Sequence, residues 1–323
     1  MIFILDWLST KFIQYLLLNL AHLKHFELHA AKGAVYLANG TMWENITGSL
    51  NTFNFIFYAK LVEVEKTLDT FRSQFWLEKR WFVAYEYDCL FSVPRFSKRD
   101  CNVNFQRPIY STAIDDKIFL DKITILELSE PLIGMKHRFA HVRTLKVNCI
   151  VQMETLSSII DVNRIEHLIL SCPALHSLPI MSQLLKMKCL QKLSIITNPF
   201  ELLIQLREMQ FGNIRTLNID YNFVLVKRYS FKQLFYIFPC VERLHMKSIS
   251  KANMICMING FKHLSNASFS LDSLSEIDER NWVAQPGLAL DGAWRLTSDN
   301  YTCRYEHSHL DVWISKQVSQ FHL

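Results

Sequence analysis

Along residues 123 to 270 a six-residue pattern, apolar-x-x-Leu-x-apolar, keeps returning. It reads ITILEL from 123, VRTLKV from 142, IEHLIL from 165, LQKLSI from 190, IRTLNI from 214 and VERLHM from 241, with a weaker copy, LSNASF, from 264. The central positions are 126, 145, 168, 193, 217, 244 and 267, so successive copies stand 19, 23, 25, 24, 27 and 23 residues apart. Alternation within each copy predicts a short strand with one buried face. Between the copies, ETLSSIIDV (154–162), PIMSQLLKM (179–187), ELLIQLREM (201–209), SFKQLFYIF (230–238) and KANMICMING (251–260) carry apolar residues at helical steps. Pro179 and Ser230 are the expected helix starts, and Gly212 and Gly260 the expected stops.

A strand and a helical return every roughly 20–29 residues is the period of a leucine-rich repeat. The expected fold is α/β: a leucine-rich-repeat solenoid, a curved parallel sheet with helical returns, in which each unit buries its leucines only by stacking on its neighbours. The chain must turn sharply after each strand, and an asparagine there can bond backbone groups that the turn would otherwise leave unpaired. Asn198 before Phe200 and Asn222 before Val224 hold that place, Asp272 is its equivalent, and Pro131 and Pro173 keep the turn without the side chain.

Towards the N-terminus, LKHFEL from 23 and LNTFNF from 50 repeat the pattern with phenylalanine at 26 and 53. The opening MIFILDWLSTKFIQYLLLNLA is interrupted by Asp6 and Lys11 and lacks a basic leader, so it reads as an amphipathic helix rather than a signal or membrane span. Leu61, Val64, Leu68, Phe71 and Phe75 predict one helix. Residues 81–110 alternate about Asp88 and Cys89, which predicts a β-hairpin insertion projecting from, or replacing part of, the third unit, and a candidate functional insertion. YTCRYE and LDVWIS flank HSH as a C-terminal capping hairpin. The expected division is 1–60, an N-terminal helix and two divergent repeats; 61–121, a helix plus the insertion; 122–280, the repeats; and 281–323, the cap.

Half the residues are apolar, enough for an extensive core, and the net charge of +5 is small and free of long basic runs, so whole-chain charge argues neither for nor against nucleic acid, which is not among the expected partners. The eight cysteines form no CxxC pair, which excludes zinc-ribbon and thioredoxin spacing and suits a reducing, cytoplasmic setting. His22, His25 and His29 lack the glutamate that a zincin motif needs, so no metal is expected. With eight glycines and no phosphate loop, GxSxG or Cys-His motif, neither an enzyme nor a cofactor is expected. Sequons at Asn39, Asn45, Asn266 and Asn300 raise the rival reading of an extracellular recognition ectodomain.

The residues flanking each buried leucine define the concave face: Lys146 and Asn148, His167 and Ile169, Lys192 and Ser194, Thr216, Asn218 and Asp220, then Arg243, His245 and Lys247. Its positive bias points to an acidic or phosphorylated protein segment as partner, the plainer reading being the solvated face of a sheet. The repeat lengths, the FPCVERLHM and GFKHLSNASFSLDS units and the closing YTCRYEHSHLDVWI resemble the F-box and leucine-rich-repeat proteins from about residue 20 onward. That resemblance implies a substrate-recognition subunit of a Skp, cullin and F-box ubiquitin ligase, with the repeats holding the substrate. An F-box usually opens with Leu-Pro ahead of the repeats. Here the first repeat strand falls near residue 23 and the only Leu-Pro is Leu178-Pro179. The F-box itself is thus expected to be missing, and ligase recruitment to rest on a longer or divergent N-terminus. A repeat protein with no ubiquitin role is the remaining alternative.

Overall fold

The structure, a computed structural model, describes residues 2–5, 10–20, 22–31, 33–102, 107–129, 137–171, 178–196, 198–220, 229–247, 249–270, 281–297, 299–306 and 308–315. The predicted turn residues Pro131, Pro173, Asn222 and Asp272, and His307 of the HSH turn, lie outside them. The chain is mixed α/β and divides into two compact units, Met1–Ile123 with Phe139–His141, and Thr124–Arg138 with Val142–Leu323. The first carries a mixed parallel and antiparallel sheet and the second a largely parallel one, and among the described residues neither closes into a barrel. Among the described residues no helix is long and apolar enough to cross a membrane.

In the first unit β1 (Ile2–Leu5), β2 (His25–Ala30) and β3 (Thr52–Tyr58) run parallel. Phe26 is level with Phe53 and Leu28 with Phe55, and the Phe26 and Phe53 rings stack at 5.7 Å. Phenylalanine stands in place of the repeat leucine in a core rich in aromatic rings, which pack with aliphatic residues such as Leu28, Leu50 and Leu68. Helices α1 (Thr10–Asn19), α2 (Gly40–Thr47), α3 (Val64–Asp69) and α4 (Gln74–Lys79) flank the sheet, and Trp43, Phe71 and Trp76 are almost fully buried with Phe53, Phe55 and Phe57. Offset and edge-on ring pairs of this kind add about 0.5–1.5 kcal/mol each beyond area burial.

Two expectations change in this unit, and one is narrowed. The opening segment is not one helix: Ile2–Leu5 is a strand in register with Glu27–Ala30, and only Thr10–Asn19 is helical. A β-branched and aromatic run finds ladder partners on β2, while Ile13 and Leu17, one turn apart, are the positions that α1 buries. The predicted helix from 61 is two helices, because the chain at Thr70 turns to serve α2. The Thr70 hydroxyl accepts from the Gly40 amide at 2.7 Å and donates to the Thr67 carbonyl at 2.7 Å, and the Trp76 indole donates to the Gly40 carbonyl at 3.2 Å. The hairpin does form, from β4 (Phe82–Glu86) and β5 (Cys89–Val93), around Tyr87 and Asp88 at φ 52° and 57°, the left-handed pair of a tight two-residue turn. Of its two expected placements, projecting from the third unit or replacing part of it, the pairing agrees with the second. β5 pairs antiparallel with β3, and every residue of β5 is buried, so the insertion extends the sheet. The short strand β6 (Asp100–Asn102) does not join this sheet, the short strand β7 (Tyr110–Ser111) joins it beside β4, and Phe119 of helix α5 (Lys117–Leu120) packs with Ala84, Phe91 and Val93 in a second small core.

The second unit is a parallel ladder of β8 (Ile125–Leu128), β9 (Thr144–Val147), β10 (His167–Leu170), β11 (Lys192–Ile195), β12 (Thr216–Ile219), β13 (Arg243–Met246) and β14 (Asn266–Ser270). The central leucines 126, 145, 168, 193, 217 and 244 are in register and at most 2 % exposed, ending on Ala267. Returns contain α6 (Met153–Ile159), α7 (Leu178–Leu185), α8 (Pro199–Gln205), α9 (Tyr229–Ile237) and α10 (Lys251–Gly260). Helices α7 and α9 begin one residue before Pro179 and Ser230, and Gly260 does end α10. Gly212 stops no helix, since α8 ends at Gln205 and Gly212 lies in the turn before β12. Asn198 falls, as expected, between β11 and α8. Asn213 ties one repeat to the next, its amide donating to the Leu185 and Leu190 carbonyls at 3.1 and 2.9 Å.

One backbone device recurs at every step of the ladder. The carbonyl just before a strand accepts two amides from the following repeat: Glu166 takes Gln191 and Lys192, Gln191 takes Arg215 and Thr216, and Arg215 takes Glu242 and Arg243, all at 2.8–3.0 Å. Thr124, Arg143 and Glu242 do the same, and so does Lys24 in the first unit, which receives Asn51 and Thr52. The predicted C-terminal hairpin is present as β15 (Tyr301–Glu306) and β16 (His309–Ile314), with β16 antiparallel to β14. Just ahead of it Arg295 ties down the end of α10: its guanidinium donates to the carbonyls of Ile258 (3.2 Å), Phe261, Lys262 and Leu264 (3.3 Å), and the Phe261 carbonyl also takes the Leu264 amide at 3.2 Å.

Two substitutions test these joints. A methyl group at Gly40 would lie 2.2 Å from the Thr70 carbonyl oxygen, whereas one at Gly48 meets nothing within 4 Å. Gly40→Ala is expected to cost about 1–3 kcal/mol and Gly48→Ala to be neutral or mildly stabilising, read as shifts in the urea midpoint. Arg295→Ala is expected to cost about 2–3 kcal/mol, and Arg295→Lys to recover only a minor part because one ammonium cannot span four carbonyls. Recovery to wild-type stability by lysine would show that charge alone suffices.

Candidate functional site

Because the buried row of leucines fixes the register, the residues between them are sorted onto one solvent-facing side of the second unit's sheet. A first row runs Thr144, His167, Lys192, Thr216, Arg243 and Asn266 across neighbouring strands. A second runs Glu127, Lys146, Ile169, Ser194, Asn218, His245 and Ser268. Just past the strands, Asn148, Asp220 and Lys247 are held by amide bonds to the Leu128, Ile195 and Ile219 carbonyls at 2.8, 2.9 and 3.0 Å. All nine residues expected at the partner-binding face therefore share one side of one sheet.

Their chemistry differs from a plain basic stripe. Glu127, which the sequence pattern did not single out, pairs with Lys146 at 2.9 Å and accepts from the Asn148 amide at 2.6 Å. The Lys146 hydrogen bond holds the Glu127 carboxyl below its usual range against the opposing effect of burial. Lys247 pairs with Asp220 at 3.1 Å. In the middle, Ser194 is buried and its hydroxyl joins His167 Nε2 at 2.8 Å and the Asn218 amide at 3.1 Å. Lys192 and Arg243 are the two cations of the predicted set with no carboxylate partner among the described residues. Burial, with the Lys192 charge as a smaller contribution, lowers the pKa of His167 to about 4, so the ring is neutral at physiological pH. Burial also lowers His245, with His309 adding to the effect and Asp220 and Asp311 opposing it.

A depression of about 480 Å³ opens on this side, lined by Ile169, Ser194, Ile196, Asn218, Asp220, His245, Lys247, Ser270 and His309. His309 shows that the C-terminal hairpin is more than a cover. Leu310, Val312 and Ile314 are buried, so His309, Asp311 and Trp313 join the solvent-facing side, with Trp313 level with Asn266 and Asp311 with Ser268. The alternation of LDVWIS carries this placement, but only once the strand is known to pair with β14 rather than merely to cover it.

Other candidate chemistry is occupied structurally. His25 Nδ1 meets the Thr52 hydroxyl at 3.1 Å; His29 pairs with Glu27 at 3.1 Å, and Arg95 holds the other oxygen of Glu27 at 2.8 Å. Among the described residues no group of three histidine, cysteine, aspartate or glutamate side chains is placed to hold a metal ion. Burial pushes the Cys89 thiol up to about 11 and the Cys101 thiol up to about 12, so neither is a thiolate nucleophile at neutral pH. Asn300, one of the sequons, is buried, with its amide donating to the Arg295 carbonyl at 3.1 Å and accepting from the Thr297 amide at 2.9 Å. This geometry leaves no room for a glycan there.

Since His167 and His245 are harder to protonate in the folded chain than in the unfolded one, the unfolded state binds more protons below pH 6.5. Stability is expected to fall as pH drops from about 6.5 towards 4, beginning above the range where Glu127 titrates. His167→Gln should flatten that dependence in denaturation midpoints measured at half-unit intervals, and an unchanged slope would remove His167 from the account. Comparison of the sequence with protein-family models and with curated proteins returns no match.

Proposed function

We propose that this chain is a non-enzymatic leucine-rich-repeat solenoid that binds another protein on the exposed side of its repeat sheet, as a substrate-recognition subunit related to the F-box proteins of Skp and cullin ubiquitin ligases. The observation that carries the reading is the ladder from β8 to β14. Seven four- or five-residue strands stand in one register with the same side buried in each, at the spacing of such repeats. A ladder of this kind presents a broad, rigid, polar surface with no catalytic set among its described side chains, which suits recognition rather than turnover. The adaptor role comes from the sequence resemblance and adds a cytoplasmic setting, to which the free thiols of Cys89, Cys101, Cys189, Cys240 and Cys303 are suited.

The test is affinity capture from native lysate with mass spectrometry, comparing wild type with the double variant Lys192→Glu and Arg243→Glu. These are the two cations of the face without a carboxylate partner, so charge reversal there leaves the internal ion pairs intact. The full reading predicts Skp and cullin components with both chains and a further protein with wild type alone. Loss of a partner without any ligase component would leave a binding protein outside the ubiquitin system. Identical partners for both chains would refute this face as the receptor surface.

A further inference from the structure

The first row of the exposed side ends in an anchor that the charge pattern alone does not reveal. Lys192, Thr216 and Arg243 are level on three successive strands, and Arg243, Asn266 and Trp313 are level on the next span. Trp313 is 44 % exposed at one end of this mainly polar row, whose other end carries the exposed Ile125 level with Thr144, while its neighbours Val312 and Ile314 are buried. No carboxylate occupies the first row. The nearby anions, Glu127, Asp220 and Asp311, lie in the second row or just past the strands.

Neighbouring strands lie about 4.8 Å apart, so Lys192 to Arg243 and Arg243 to Trp313 are two equal steps of about 9.6 Å. A polyproline II segment advances about 9.3 Å in three residues and returns the same side of the chain at each third position. An extended strand returns the same side every two residues, about 6.6 Å, and misses both steps. Arginine and tryptophan are also the side chains that most often dominate binding energy when they sit in one patch.

We infer that this row recognises a polyproline II segment of a partner protein with two carboxylates three residues apart and a bulky apolar residue three further on. The carboxylates meet Lys192 and Arg243, and the apolar side chain covers Trp313. The inference rests on the protein-binding reading and specifies its ligand. A nucleic-acid strand fits less well, because Asp220, Asp311 and Glu127 beside the row would repel a continuous phosphodiester backbone.

The experiment uses the full chain and fluorescein-labelled peptides built on Glu-Pro-Pro-Glu-Pro-Pro-Leu and its reverse order, with binding read by anisotropy. One order is expected to bind, to weaken at least tenfold when both glutamates become glutamine, and to weaken at least tenfold when the spacers shrink to one proline. Trp313→Ala and Arg243→Gln should each weaken it about tenfold while leaving the circular dichroism melt unchanged. If Trp313→Ala alters the melt, Lys192→Gln and Arg243→Gln carry the test, since neither side chain pairs within the face. Binding of neither order, equal binding of the short-spaced peptide, or tighter binding of an oligothymidine overturns the inference. Should both peptides fail while the Lys192→Glu and Arg243→Glu double variant still loses a captured protein, the spacing inference falls and the protein-binding reading stands.

Discussion

The carbonyl that precedes each strand, accepting two amides from the following repeat, is the contact on which the rest depends. A single ladder bond would leave the next strand free to slip, and a slip of one residue would bring every buried leucine out to solvent. Two donors from adjacent residues on one oxygen fix both the position and the direction in which the next strand starts. Since the groups are backbone, the device works whether the residue is Thr124, Glu166, Gln191 or Arg215. The same arrangement at Lys24 shows the first unit built on the same plan, with rings in place of leucines.

Much of this was legible in the sequence. The strands of the second unit fall where the six-residue pattern puts them, because alternation about a central leucine is a local property and the spacing excludes other periods. The failures share a cause. Ile2–Leu5 reads as part of a helix until β2 is available as a ladder partner, and the helix from 61 reads as continuous until Thr70 is seen serving Gly40, thirty residues earlier. Both are decided by contacts distant in sequence, which periodicity cannot register.

The candidate face was legible in membership and less so in character. Strand alternation places Lys146, Asn148, His167, Lys192, Asn218, Asp220, Arg243, His245 and Lys247 on one side, and the register of the sheet does the same. It does not show that Glu127 lies beside Lys146 or that Asp220 lies beside Lys247, so a count of charges overstates the field. Ser194 illustrates the converse, a small residue that matters because His167 and Asn218 converge on it. Trp313 was hidden by its assignment to a cap, although a strand that closes a sheet edge also extends both of its sides.

The internal pairing of Lys146 and Lys247 has a kinetic meaning. With carboxylates a few ångströms from those two cations, their own field decays within the reach of direct contact, and Lys192 and Arg243 are left as the charges a distant partner feels. On the proposed protein-binding reading, electrostatic steering of a partner then comes from those two cations alone, and its association rate depends on ionic strength only to that extent. On that reading, partners would be told apart more by how slowly they leave than by how fast they arrive.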